Sequence, residues 1–439
     1  MIDYVKFQYL TSMPKESLMP ASNIEKAYQM ARTRYGELGV DTDKALQTFE
    51  GVALSIHCWQ GDDVGGFEKP HAHLEGGGIR VTGNYPGKAR TIAELRMDLD
   101  KVYSLVPGRH RLSLHASYGE FGNRHVDRNE IEPRHYTSWI DWAKRRGLKL
   151  DFNATCFSHP KADSGFTLSS KNKEIRKYWI EHVKRCRCIS DFIGSKLGSP
   201  CIHNLWIPDG SKDVPVDRWT HRELLKKSLN EIFSIKYKPS QMKDALESKL
   251  FGLGSEAFVV GSHEFYMGYA LTKGKMLCLD LGHFHPTESV ADKISAILQF
   301  SPEILIHITR GLRWDSDHVA TWNDDTRMLA EEIVRSGVLN RVHFGLDFFD
   351  ASINRVGAWV VGARAALKAV LYALLEPRRK LLRLEEAGDN FGRLALLEEL
   401  KSMPFGAVWD YHCLRMNVPP RELWIDEVRK YHAEVTSKR

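Results

Sequence analysis

The stretch KMLCLDLGHFHP, residues 275–286, passes from an apolar, β-rich run directly into an acid and two histidines. Taken alone, Asp280-x-x-His283 is either the edge of a metal site or an ordinary strand end with solvated polar groups. The rest of the chain decides, because the same kind of run recurs. Short β-rich runs fall at 52–59, 111–117, 148–156, 201–207, 245–252, 275–282, 303–310 and 341–348. Between them lie stretches such as YTSWIDWAKRRG and TRMLAEEIVRSGVL, whose apolar residues recur at helical spacing. Strand and helix in alternation signal parallel βα units, and eight such units close a barrel. The expected fold is therefore α/β, a (β/α)8 TIM barrel.

A chain of 439 residues with 43% hydrophobic content can bury a large core. One helix is expected around 24–49, ahead of the first strand, and after Ser352 the chain reads as almost entirely helical with charged faces. The expected organisation is an N-terminal segment and helix over 1–50, the barrel over 51–352, and a C-terminal helical extension over 353–439 that packs on the barrel or on a neighbouring subunit. RRG and KLG put a glycine where a helix should stop. The longest irregular piece, 61–90, is glycine-rich but lacks both GxGxxG and GxxxxGK[ST], so it reads as a loop over the barrel mouth rather than a phosphate cradle.

Several function classes drop out. A formal charge of +6, from 62 basic and 56 acidic residues, gives no reason to expect a nucleic acid or membrane partner. No apolar run approaching transmembrane length and no signal-peptide pattern is read, and the 7 scattered cysteines fit a reducing cytoplasm. Cys186-Arg-Cys188, the one close pair, does not make a structural zinc site.

If the runs are barrel strands, their C-terminal ends meet on the rim that carries the active site in this fold. His57, His115 and Asn153 end the first three runs, and Trp206 with Asp209 ends the fourth. Glu247 and Lys249 belong to the fifth, Asp280 and His283 to the sixth, His307 followed by Asp315 and Asp317 to the seventh, and Asp347 to the eighth. Singly, each is a structural histidine or a turn-forming acid. Jointly, several carboxylates in apolar surroundings must be protonated, paired or neutralised by cations. Lys249 is the one obvious base, so metal is the answer that fits. Glu247, Asp280, His307 and Asp347 form one oxygen-rich group; His283, Asp315 and Asp317 form a second, with Asp280 placed to bridge them. Oxygen and imidazole donors suit Mn²⁺, Mg²⁺, Co²⁺ or Zn²⁺ over softer ions at two adjacent sites, and no thiolate is expected to contribute. Glu247 and Lys249, two apart on one strand, should face the same side. Trp59 and Trp206 stand where an aromatic wall could pack on a sugar. His71, His73 and His125 read as solvated loop residues.

These residues resemble the L-rhamnose isomerase family. The stretches carrying the resemblance include HCWQGDD (57–63), TGNYPGKAR (82–90), WIPDG (206–210), ESKLFG (247–252), GSHEFYMGYA (261–270), LDLGHFHPTE (279–288), RWDSDHV (313–319) and GLDFFDASINR (345–355). The resemblance implies a homotetramer that interconverts an aldose and its ketose, L-rhamnose and L-rhamnulose, with two divalent metal ions per subunit, Mn²⁺ foremost among them. It assigns a structural, substrate-holding ion to Glu247, Asp280, His307 and Asp347, and a catalytic ion to His283, Asp315 and Asp317. Lys249, His115 and Trp206 then surround the sugar, with Trp59 beside them. Lys249, His115, Asp315 and Asp317 are the expected catalytic residues. Two other readings are a metal-dependent phosphoesterase or endonuclease on the same barrel, and a sugar-binding barrel without catalysis.

Overall fold

The computed structural model describes residues 21–68, 79, 81–122 and 125–439. Eight strands form a closed, all-parallel barrel: β1 (Ala53–His57), β2 (Arg109–His115), β3 (Lys149–Asn153), β4 (Cys201–Trp206), β5 (Met242–Glu247), β6 (Met276–Asp280), β7 (Ile304–Ile308) and β8 (Val342–Leu346). β8 closes on β1 with Leu54 opposite Phe344 and Ser55 opposite Gly345. The expected (β/α)8 barrel is thus the observed one. The strands read as continuous apolar runs because both their faces are buried. Leu54, Ile56, Leu112, Leu114, Leu150 and Phe152 join the large core beneath the surrounding helices, while Ile202, Ala245, Met276, Cys278 and Leu305 form a smaller separate cluster. Alternation along each strand assigns this second cluster to the lumen.

The helices around the barrel are α3 (Ile92–Tyr103), α4 (Thr137–Arg146), α5 (Lys173–Leu197), α6 (Arg218–Ile232), α7 (His263–Lys273), α8 (Val290–Ile297), α9 (Asp324–Arg335) and α10 (Arg355–Leu374), preceded by α1 (Ala21–Glu37) and α2 (Thr42–Phe49). Gly147 and Gly198, the glycines of RRG and KLG, end α4 and α5 in the left-handed conformation. Four further helices follow: α11 (Arg378–Glu386), α12 (Asn390–Leu400), α13 (Phe405–Arg415) and α14 (Leu423–Glu434). α1 packs against α13 through stacked Tyr28 and Tyr411, 3.9 Å between ring centroids.

Three expectations need correction. The single helix around 24–49 is two, because Gly39 takes a positive φ and Asp41 starts α2 as an N-cap, accepting from the Lys44 amide. The fifth strand ends at Glu247 rather than continuing to 252, so Lys249 lies beyond it. Its first half looks polar because Lys243 pairs with Glu303, and Asp244 with Arg187 and Lys275. Finally, α10 is long and apolar enough to cross a membrane, but 78% of its apolar window is buried within the protein. It is a core helix whose Trp359 Nε1 donates to the His57 carbonyl at the end of β1 (2.8 Å).

Candidate metal and sugar site

The strand ends and the loops beyond them deliver the acids to one place. Among the described residues, Glu247 from β5, Asp280 from β6, His307 from β7 and Asp347 just after β8 each offer a ligand atom within 4.8 Å of the others. His307 Nδ1 lies 3.1 Å from Asp347 Oδ2, 3.3 Å from Glu247 Oε1 and 3.8 Å from Asp280 Oδ2. Of the second group, His283 and Asp315 adjoin the first. His283 has Nδ1 3.2 Å from Glu247 Oε1 and Nε2 3.3 Å from Asp315 Oδ2. Lys249 Nζ donates to Asp315 Oδ2 at 2.9 Å and lies 4.7 Å from the centre of the Trp206 ring. Asp317 is held in a left-handed conformation, φ 47°, an uncommon state for a residue with a side chain.

Five carboxyl groups here face one ammonium and two imidazoles. Burial would raise the Glu247 carboxyl, but the cationic imidazoles of His307 and His283 outweigh it and hold it below the usual carboxylate range. Burial opposes ionisation of Asp315 too, and Lys249 and His283 overcome it. Asp280 and Asp317 go the other way. Burial pushes both carboxyls up, abetted by Asp347 and Glu247 at Asp280 and by Asp315 at Asp317. With protein groups alone, the cluster balances its charge only by keeping protons on part of its acids.

The chemistry of the donor set therefore fits divalent cations, which would replace those protons. Two further observations agree. Asp315 Oδ1 is buried without a hydrogen-bond partner, and Gly282 leaves open the space between the acids. A Cβ there would lie 2.9 Å from Asp315 Oδ1 and 3.2 Å from Asp280 Oδ1.

Beside this cluster stands an aromatic wall. Trp59 Nε1 donates to Asp347 Oδ1 (3.1 Å), and its ring meets His115 edge-on at 4.8 Å. Phe157 meets His115 on one side (5.6 Å) and Trp206 on the other (5.4 Å). His115 Nδ1 is 3.1 Å from Thr155 Oγ1. Burial, reinforced by the Arg128 guanidinium, lowers the His115 pKa to about 3, so its ring is neutral. A separate cavity of about 560 Å³ lies toward the N-terminal side of the barrel, lined by Ser55, Ser113, Asp151 and Asn204 and reaching His307 from below.

No thiolate ligand is expected from the sequence, and the one thiol at the cluster is that of Cys278, which joins Glu247 and His307 in a second possible ligand group among the described residues. Burial pushes that thiol far up, which keeps it protonated and a poor ligand. Missed by the sequence reading is Asn204, whose Nδ2 donates to Glu247 Oε2, together with Thr155, Phe157 and Arg128, which lie beyond the strands and carry no periodic signal. Other strand-end residues stand apart. Asp209 accepts from the amides and hydroxyls of Thr167 and Ser169, Asn153 donates to Ser113 Oγ and the Leu114 carbonyl, and His57 Nε2 binds the Phe348 carbonyl. His125 is exposed, whereas His71 and His73, most of the 61–90 loop's tip, and residues 1–20 lie outside the described residues.

Known proteins share this chain's sequence along most of its length. The family model for L-rhamnose isomerase (RhaA) matches residues 22–439. The L-rhamnose isomerase of Rhodopirellula baltica is 56% identical over 95% of this chain and 98% of its own. Those of Bacteroides thetaiotaomicron, 56% identical over 95% and 99%, and Mannheimia succiniciproducens, 54% identical over 95% and 100%, match as fully. Likeness of this degree, on a barrel whose rim gathers the acids described above, makes the chain an aldose–ketose isomerase that belongs to the L-rhamnose isomerase family.

Proposed function

We propose that this enzyme interconverts L-rhamnose and L-rhamnulose as a homotetramer, with two divalent ions per subunit. The observation that carries the metal reading is the convergence of ligand atoms from Glu247, Asp280, His307 and Asp347 within 4.8 Å of one another, with the buried Lys249–Asp315 pair beside them. Glu247, Asp280, His307 and Asp347 would hold one ion and His283, Asp315 and Asp317 the other; oxygen and imidazole donors suit Mn²⁺, Mg²⁺, Co²⁺ or Zn²⁺, and the family resemblance puts Mn²⁺ first. Such ions supply Lewis-acid polarisation of sugar oxygens. The protein's own groups do the rest. Trp59 and Trp206 pack on the sugar's apolar face and exclude water. His115, kept neutral by burial and by Arg128, takes the anomeric hydroxyl proton as the C1–O5 bond breaks and passes it to the ring oxygen, so the pyranose opens with no net change in protons. Lys249 stays cationic because Asp315 and Asp317 more than offset its burial, and it stabilises negative charge at the carbonyl oxygen. Hydrogen then moves from C2 to C1 as a hydride while a proton passes from O2 to O1, which converts aldose to ketose in balance.

The test is an assay of L-rhamnose with Mn²⁺, after EDTA treatment, and in D₂O. Activity that disappears with EDTA, returns with Mn²⁺ and leaves no deuterium at C1 is expected. Activity indifferent to EDTA would remove the metals from the reading; extensive deuterium at C1 would replace the hydride shift by an enediol.

A further inference from the structure

Arg128 touches none of the acids or rings of the site, yet three rim loops converge on it. It is 1% exposed and begins a short 3₁₀ turn beyond β2. Its Nη1 donates to the carbonyls of Thr155 (2.8 Å) and Phe157, and its Nη2 to that of Ser158 (3.2 Å). Nε and Nη2 also grip the Glu68 carboxylate, at 2.9 Å to Oε1 and 3.0 Å to Oε2. One planar guanidinium thus binds the loop after β1 through Glu68 and the loop after β3 through the carbonyls of Thr155, Phe157 and Ser158. A lysine, with a single nitrogen, cannot span these acceptors.

What Arg128 holds is what faces the site. Thr155 is fixed through both of its backbone polar groups: its amide donates to His182 Nε2 (3.0 Å), and its carbonyl accepts from Arg128. His182 Nδ1 in turn reaches the Arg128 carbonyl at 2.9 Å, which assigns the proton to Nδ1. So fixed, Thr155 offers Oγ1 to His115 Nδ1, and Phe157 stands between His115 and Trp206. Ser158 adopts a left-handed φ of 51°, a costly state for a residue with a side chain that persists where surrounding bonds enforce it. Arg128 supplies such a bond.

We propose that Arg128, neutralised by Glu68, is a positioning residue for the isomerase reaction: by clamping the Thr155–Ser158 carbonyls it sets the His115 ring and the Phe157 wall against which the sugar opens. This rests on the proposed role of His115, and the test separates the two. Arg128→Lys keeps the charge and its pairing with Glu68 but loses the fork. Its crystal structure is expected to show Phe157 and the His115 ring displaced, with kcat/KM for L-rhamnose reduced about 100-fold, as for a small misplacement of a reacting group. Mn²⁺ binding, followed by EPR, is expected to match the wild type, because Arg128 contacts none of the proposed ligands. Arg128→Ala is expected to regain kcat when guanidinium ion is added, and Arg128→Lys is not. An Arg128→Lys protein with Phe157 and His115 unmoved and kcat/KM near wild type overturns the proposal, as does a folded Arg128→Ala protein that guanidinium leaves unchanged. Should the wild type fail to isomerise L-rhamnose, the functional reading falls, while the displacement in the Arg128→Lys crystal still judges the clamp.

Discussion

At the scale of single residues, environment decides what each group can do. His115 has its proton affinity lowered by burial and by Arg128, which keeps its ring neutral at physiological pH. For His115→Ala, turnover of the cyclic aldose is expected to fall by about 100-fold or more, and turnover of sugar already in the open-chain form by much less. Progress curves started from each form check this; equal losses would contradict the ring-opening role. Asp62 shows the opposite shift. It is almost wholly buried, and although it accepts from Tyr118 Oη (2.6 Å) and the Gly66 amide (2.7 Å), burial raises its pKa from 3.8 to about 7. As pH climbs from about 4 to about 7, the unfolded chain ionises this carboxyl while the folded chain keeps its proton, so folding stability falls across that window. Asp62→Asn carries no such proton. Relative to wild type it is expected to gain stability with rising pH over this range, by an amount on the order of a few kcal/mol. Urea unfolding at several pH values checks it, and parallel stability curves would contradict it.

At the scale of elements, the barrel was legible because its strands are buried on both faces and read as short apolar runs between amphipathic helices. Rim acids were legible for the same reason, since Asp280, His307 and Asp347 interrupt apolar context at strand ends. Where charged residues are buried in pairs, that signal fails. The start of β5 was missed because Lys243 and Asp244 look solvent-facing until Glu303, Arg187 and Lys275 are seen beside them. Arg128, Thr155 and Phe157 were invisible because loop residues have no period and their partners are distant in sequence. One helix contact is also decided by a missing side chain. A Cβ on Gly194 of α5 would lie 1.7 Å from the Gln241 carbonyl oxygen ahead of β5. Gly194→Ala is therefore expected to push α5 off the barrel and to cost roughly 1–3 kcal/mol or more. Urea unfolding measures this, and a loss near zero would mean that the backbone shifts freely there.

At the scale of the whole molecule, the ligands of the candidate site are scattered over a hundred residues, from Glu247 to Asp347. Parallel strands closing into a ring bring every C-terminal end to one rim, and this is how a chain with acids so far apart in sequence concentrates them. The outer helices fix that rim from behind, as where α10 binds the end of β1 through Trp359 and the loop after it through the paired Arg355 and Asp63. Crystals soaked in Mn²⁺ test most directly whether the converged acids hold two adjacent cations. Anomalous scattering at the manganese edge is expected to give two peaks per subunit, one among Glu247, Asp280, His307 and Asp347 and one among His283, Asp315 and Asp317. No peak at either place would contradict that.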